Sequence, residues 1–209
     1  MSSGSLPLGH TEPERDGRLL RTARTRQLVV EAFLDLLADG ESQPTAQQVS
    51  DRSGVSMRSI FRLFDDVEAL HGAAIATQID RVADLIVAIG PDGPLAGRVK
   101  AVVDSRAKLF DAIAPVRRMA VRLAPTSPPL RADLELANEF FRTQVAEVFD
   151  HELSVLAVVG RSDVLDALDL ATSWETWERL RGTQGIPERR ARRIVADLMH
   201  RVLAGEGER

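Results

Sequence analysis

The chain has no cysteine among its 209 residues. This excludes a disulfide framework, a thiolate zinc site and a cysteine nucleophile, and it fits a reducing compartment. Long apolar runs are missing as well. The N-terminal stretch MSSGSLPLGHTEPERDG holds no apolar segment of signal-peptide length. No later stretch approaches the roughly 18 apolar residues of a membrane span. We therefore expect a soluble, cytoplasmic protein with no membrane partner. Alternating strand patterns are absent, and the β-branched runs are too short to point to a sheet. Common catalytic signatures are lacking too: there is no glycine-rich phosphate loop and no nucleophile-elbow serine. The four histidines, His10, His71, His151 and His200, are scattered, and His151-Glu152 lacks the second histidine of a helical zinc motif. Paired acids such as Asp163 and Asp166 read as solvated. The expectation is no enzyme, no metal and no cofactor.

What is present is enough apolar matter for a core, 44% of the residues. The length allows one compact domain, or a small domain attached to a larger one. Formal net charge is −4, which argues against a nonspecific coat on nucleic acid. The charge is uneven, however. Arg15, Arg18, Arg21, Arg24 and Arg26 face a single acid, Asp16, and Arg52, Arg58 and Arg62 lie in a stretch to Phe64 with none. The acids gather further along, so the chain has a basic end on an acidic body.

Helical periodicity dominates. In RQLVVEAFLDLLADG, Val29, Phe33 and Leu36 share a stripe, Ala32 and Leu37 flank it, and Gly40 ends the helix. Thr45 and Gln48 have the spacing of a capping box opening a short helix to about Ser53. Gly54 turns the chain, and Ser56 caps a helix from Met57 to about Leu63. Asp65 or Asp66 caps a longer one to about Ile89, with Leu70, Ile75, Ile79, Val82 and Ile86 as apolar positions. Pro115 separates two further helices. PTSPP (125–129) is the strongest loop signal, followed by a helix from Leu130 to Val158 and a break at Gly160. Ser162 caps the next helix, and Pro187 and Gly205 bracket the last. The expected fold is all-α, with about nine helices. The first 20 residues read as a flexible tail, 21–66 as a three-helix DNA-binding domain, and 67–209 as a helical body.

The segment AQQVSDRSGVSMRSIFRL reads as two crossed helices. Val49, Val55, Ile60 and Leu63 face the core, Ser50 allows close approach, and Gly54 sits in the turn. Met57, Arg58, Ser59 and Arg62 are left facing outward. A groove-reading helix meets base edges through its N-terminal part, where arginine bonds guanine bidentately and serine serves bases or phosphates. Arg58 is the first choice for base reading. A helical corner with solvated arginines is the plainer alternative.

From Arg26 to Leu70 the chain resembles the N-terminal domain of the TetR family of bacterial transcription regulators. RQLVVEA closing at Gly40, the Thr45 cap, GVS at 54–56, FRLF at 61–64, and Glu68 with Leu70 follow the order of that family's motifs. The resemblance implies an operator-binding site of Thr45, Arg52, Ser56, Met57, Arg58, Ser59, Phe61 and Arg62. Two positions depart from the pattern. Phe61 replaces the usual tyrosine and Val67 the usual lysine, which removes two phosphate contacts. Arg52, Arg58, Arg62 and the Arg15–Arg26 arm are expected to supply the missing charge, because they lack local acid partners.

The resemblance further implies a helical ligand-binding and dimerisation domain after the linker helix, with a homodimer through the last two helices and an unknown small-molecule effector. It also implies repression relieved when the effector shifts the linker helix. In the final helix Ala191, Ile194, Val195, Leu198 and Val202 form an apolar stripe. Candidate ligand-lining residues are Arg106, Phe110, Met119, Arg122, Phe141, Gln144, Trp174 and Trp177, with the two arginines placed to meet an anionic ligand. Each also reads as ordinary core or as a snorkelling cation. The competing class is a dimeric protein-interaction module with a degenerate helix-turn-helix.

Overall fold

The computed structural model describes the backbone of residues 12–204 and the side chains of residues 17–204. Every regular element among them is helical, and the all-α expectation holds. The order is α1 (Glu12–Ala38), α2 (Ala46–Ser53), α3 (Met57–Leu63), α4 (Val67–Val82), α5 (Leu95–Leu123), α6 (Pro128–Val148), α7 (Asp150–Ser154), α8 (Val158–Thr172), α9 (Trp174–Glu178) and α10 (Glu188–Ala204). A 3₁₀ turn follows α4 and a π turn follows α9. The chain divides into two compact units, Met1–Thr77 and Gln78–Arg209, so the division falls inside α4 and not at residue 66.

In the first unit α1 buries Val29, Val30, Phe33, Leu34, Leu36 and Leu37 against Val49, Ile60, Phe64, Leu70 and Ala74. The buried face of α1 is wider than the expected stripe, because α2, α3 and α4 all belong to the same small core. α1 starts at Glu12, so residues 12–20, expected as tail, are helical; the first 11 residues lie outside the described part. Arg26 fastens this core: its Nη1 donates to the Leu63 carbonyl at 2.8 Å, and its guanidinium lies 4.2 Å from the Phe64 ring centroid. Burial pulls the His71 imidazole below its ordinary pKa, beside Phe33.

The second unit departs from the sequence reading at its helix boundaries. α4 ends at Val82, short of Ile89, and Ile79 and Ile86 are exposed. Pro115 lies within α5 and divides nothing. A proline there removes one donor and crowds the preceding turn. Burial of Phe110, Val116, Met119 and Ala120 on both sides holds the helix continuous, and Gln78 Nε2 donates to the nearby Ala112 carbonyl at 3.0 Å. PTSPP is half loop and half helix: Ser127 caps α6, and Pro128 and Pro129 occupy its first turn, where missing N–H groups cost nothing. α6 stops at Val148, and Gly160 and Ser162 lie inside α8. Ser173 interrupts the expected single helix after 162: its Oγ accepts from the Thr176 N–H at 3.1 Å and starts α9.

α5 lies at the centre of this unit, against α6 and α10. Its Val99, Val102, Val103 and Phe110 join Val145, Val148, Phe149, Leu168, Trp174, Val195 and Met199 in one apolar cluster. On α10 the expected stripe is divided. Ala191 and Val195 are buried and Leu198 is exposed, while Met199, outside that stripe, is fully buried.

Candidate nucleic-acid interface and interior arginine site

Thr45 opens α2 with a complete capping box. Its Oγ1 accepts from the Gln48 N–H at 3.2 Å, and Gln48 Oε1 accepts from the Thr45 N–H at 2.8 Å. Gly54 ends α2 at φ 69°, a left-handed conformation that a Cβ-bearing residue adopts only with strain. Ser56 then caps α3 by accepting from the Ser59 N–H. With Val49 and Ile60 buried, α3 presents Met57, Arg58, Phe61 and Arg62 to solvent as one face.

Two expected site residues, and one arginine of the basic arm, are placed otherwise. Ser59 is half-buried, and its hydroxyl bonds Ser56 Oγ at 3.0 Å, so it belongs to the cap and not to the outward face. Arg52 is expected to lack a local acid partner; its Nη2 lies 2.8 Å from Asp39, a carboxylate thirteen residues upstream in the turn that follows α1. This pair is largely exposed and contributes little to stability, yet it commits the charge. Arg26 is spent on Leu63 and Phe64. Arg18, Arg21 and Arg24 are exposed on α1, and the side chain of Arg15 lies outside the described residues. The start of α4 holds no ready phosphate cradle: Asp66 Oδ1 accepts from the Ala69 N–H at 2.7 Å. Phe61 and Val67 are 58% and 57% exposed, an apolar surface that the core does not need.

In the second unit, five of the eight expected ligand residues come together. Arg106 donates through Nη1 to Gln144 Oε1 at 2.7 Å and through Nη2 to the Phe141 carbonyl at 3.2 Å. Its guanidinium lies over the Phe141 ring, 4.2 Å from the centroid. Phe110 meets Phe141 and Trp174 edge to face, at 5.4 and 5.7 Å. Trp177 is buried close by, and its Nε1 donates to Asp111 Oδ1 at 2.8 Å. Met119 is buried further along α5, and Arg122 is exposed at its end. Burial pulls the Arg106 guanidinium down to about 10, with the field of Asp169 opposing it. Arg117, which the sequence reading did not single out, is also buried: its Nη2 donates to Asn138 Oδ1, and burial lowers its pKa. No sequence spacing announces such arginines, since their partners lie on another helix.

No protein-family model matches the chain, and no curated protein matches it. Among solved structures it is similar to a crystal structure of a transcriptional regulator from Rhodococcus sp. Rha1, with a TM-score of 0.63 at 15% sequence identity. The match covers 88% of this chain and 96% of that one. At that identity the likeness is one of fold. Among the described residues no helix is long and apolar enough to cross a membrane, and no acid–histidine cluster has the makings of a metal site.

Proposed function

We propose that the chain is a DNA-binding transcriptional regulator of the TetR type, a homodimeric repressor released from a palindromic operator by a small molecule. One observation carries the reading. α3 leaves Met57, Arg58, Phe61 and Arg62 exposed together at the helix that follows a glycine turn, with Val49 and Ile60 holding the crossing from behind. The arginines are placed for base and phosphate contact. Arg18, Arg21 and Arg24 on α1 add positive surface in the same unit. Thr45 and Ser56 serve the interface by fixing the starts of α2 and α3. The shared fold with a protein described as a transcriptional regulator supports the same reading. Two recognition helices roughly 34–36 Å apart require a dimer, and exposed Leu170 on α8 and Leu198 on α10 mark the face for it.

The test is a mobility shift on the DNA upstream of the protein's own gene, across a salt series. A sequence-specific complex whose affinity falls with salt is expected. The second reading, a helical interaction module, is favoured by the exposed Phe61 and Val67. A well-folded dimer giving no specific shift at any salt concentration would decide for it.

A further inference from the structure

Arg98, Arg106 and Arg117 are buried in the second unit; Arg98 is answered by a carboxylate, while Arg106 and Arg117 meet neutral oxygens and each keeps an Nε–H without a partner, Arg106 being the one that borders a void. Arg98 has a carboxylate: its Nη1 donates to Glu152 Oε2 at 2.8 Å, and it also bonds the Val148 carbonyl. Arg106 is 3% exposed, yet among the described residues it meets only two neutral oxygens and the face of a ring. The acid whose field reaches it, Asp169, stands 3.6 Å from Arg142. Arg106 Nε has no hydrogen-bond partner at all. A buried guanidinium without a counter-ion is costly, and an apolar side chain of similar size is often the more stable choice. Such a group is explained when something other than the fold uses it.

The surroundings say what that is. Arg106 borders a void of about 10 Å³ with Val103, Phe110, Ala171, Trp177 and Val195, room for about one water. Apart from Thr172 and Ser173, the remaining walls are apolar and aromatic. The vacant Nε–H lies beside an Nη that is held only by a 3.2 Å bond, and this edge of a guanidinium forms a fork for a carboxylate. Gln144 is the second element. While its Oε1 accepts from Arg106, its Nε2 donates to the Val87 carbonyl at 2.9 Å. Val87 lies five residues beyond the end of α4 and lines a surface hollow of about 490 Å³. Gln144 thus connects the hollow's wall to the buried cation.

Building on the reading of this unit as the effector-binding part, we propose that Arg106 is the anchor of a site for an amphipathic carboxylate. The carboxylate takes the Nε edge of Arg106, and the apolar body enters among Phe110, Phe141 and Trp174. The void is far smaller than such a ligand, so binding displaces Gln144 and Phe141 and opens a site that is closed in the free protein. Loss of the Gln144 bond also frees Val87 at the end of the α4 connection.

Trp174 and Trp177 are the only tryptophans in the chain, and their emission reads the site directly. The probes are octanoate, 4-phenylbutyrate, 1-octanol and octylamine. Both carboxylates should change the emission saturably, octanol should bind about tenfold more weakly or worse, as expected for loss of a charged hydrogen bond, and octylamine should not bind. Arg106→Met should lose the carboxylate preference, because it removes the guanidinium that the carboxylate takes. Arg106→Lys should keep part of the preference. Equal binding of octanoate and octanol by the natural chain overturns the proposal but leaves an effector site standing. No saturable change with any of the four overturns both. Should Arg106→Met fail to fold, the octanoate-to-octanol ratio of the natural chain decides alone.

Discussion

Arg58 and Gly54 show how differently single residues enter the reading head. Arg58 is exposed on the first turn of α3 and makes no contact that the fold requires. Its replacement should leave stability alone and act on DNA. We expect Arg58→Ala to relax preference at one base pair by about 1–3 kcal/mol, measured by competition with operators altered one position at a time. A uniform loss on every sequence would make it a phosphate contact. Gly54 is the reverse case. A Cβ there meets open space, so no clash opposes substitution, but φ is +69°. Gly54→Ala should destabilise the first unit by about 1–2 kcal/mol through the backbone alone, read from denaturant unfolding. A change within a few tenths would mean that the turn relaxes into another conformation. Both residues were legible in the sequence, because a turn glycine and an outward cation depend on local spacing. The pairing of Arg52 with Asp39 was not, since it joins α2 to the turn after α1 through tertiary packing.

Among the helices, local chemistry located the caps of α2 and α3, and it misplaced caps and breaks in the second unit. The Thr45 box, the Ser56 cap and the span of α3 follow from side chains within four residues, and all stand where the sequence puts them. Pro115 and Gly160 read as boundaries and lie inside helices: burial along α5 outweighs the local preference at Pro115, while Gly160 falls in the exposed first turn of α8. One contact between elements carries a pH signature. Arg98 on α5 bonds Glu152 on α7, and this hydrogen bond holds the Glu152 carboxyl below the usual carboxylate range. A folded-state value below the unfolded one stabilises the protein above about pH 4.3, the ordinary glutamate value. The contribution is lost as pH falls through the depressed value. Unfolding measured from pH 7 down to 2.5 should show this loss, and Glu152→Gln should remove it, leaving a shallower acid dependence. If the natural chain and the variant follow the same curve, the pair does not couple to folding.

At the scale of the whole molecule, the proposed regulator calls for a second copy of the chain. α10 buries Ala191, Val195 and Met199 within its own unit, so the chain already uses one face of this helix. Leu198 remains 41% exposed there, and Leu170 on α8 66%. We expect Leu198→Glu to shift a dimer toward monomer in sedimentation and to weaken operator binding, while the circular dichroism of the helices is unchanged. A dimer of unaltered strength would place the interface elsewhere. The acidic total charge is compatible with DNA binding at this scale, because Arg18, Arg21, Arg24, Arg58 and Arg62 are exposed in one unit of the two, and a partner responds to the local field.

The amino-acid sequence by itself determined that the regular elements are helices, where α2, α3 and α4 begin, and that the second helix of the corner turns its cations outward. Periodicity, caps and a left-handed glycine are properties of short segments, and they survive any packing. Tertiary structure alone decided which arginines are available. It took Arg26 for Phe64 and Arg52 for Asp39, gave Arg98 a carboxylate, and left Arg106 buried with one N–H unanswered. The reason is distance along the chain. Arg106 stands 38 residues from Gln144 and Arg98 stands 54 from Glu152, and only the packing of α5 against its neighbours brings such groups within hydrogen-bond reach.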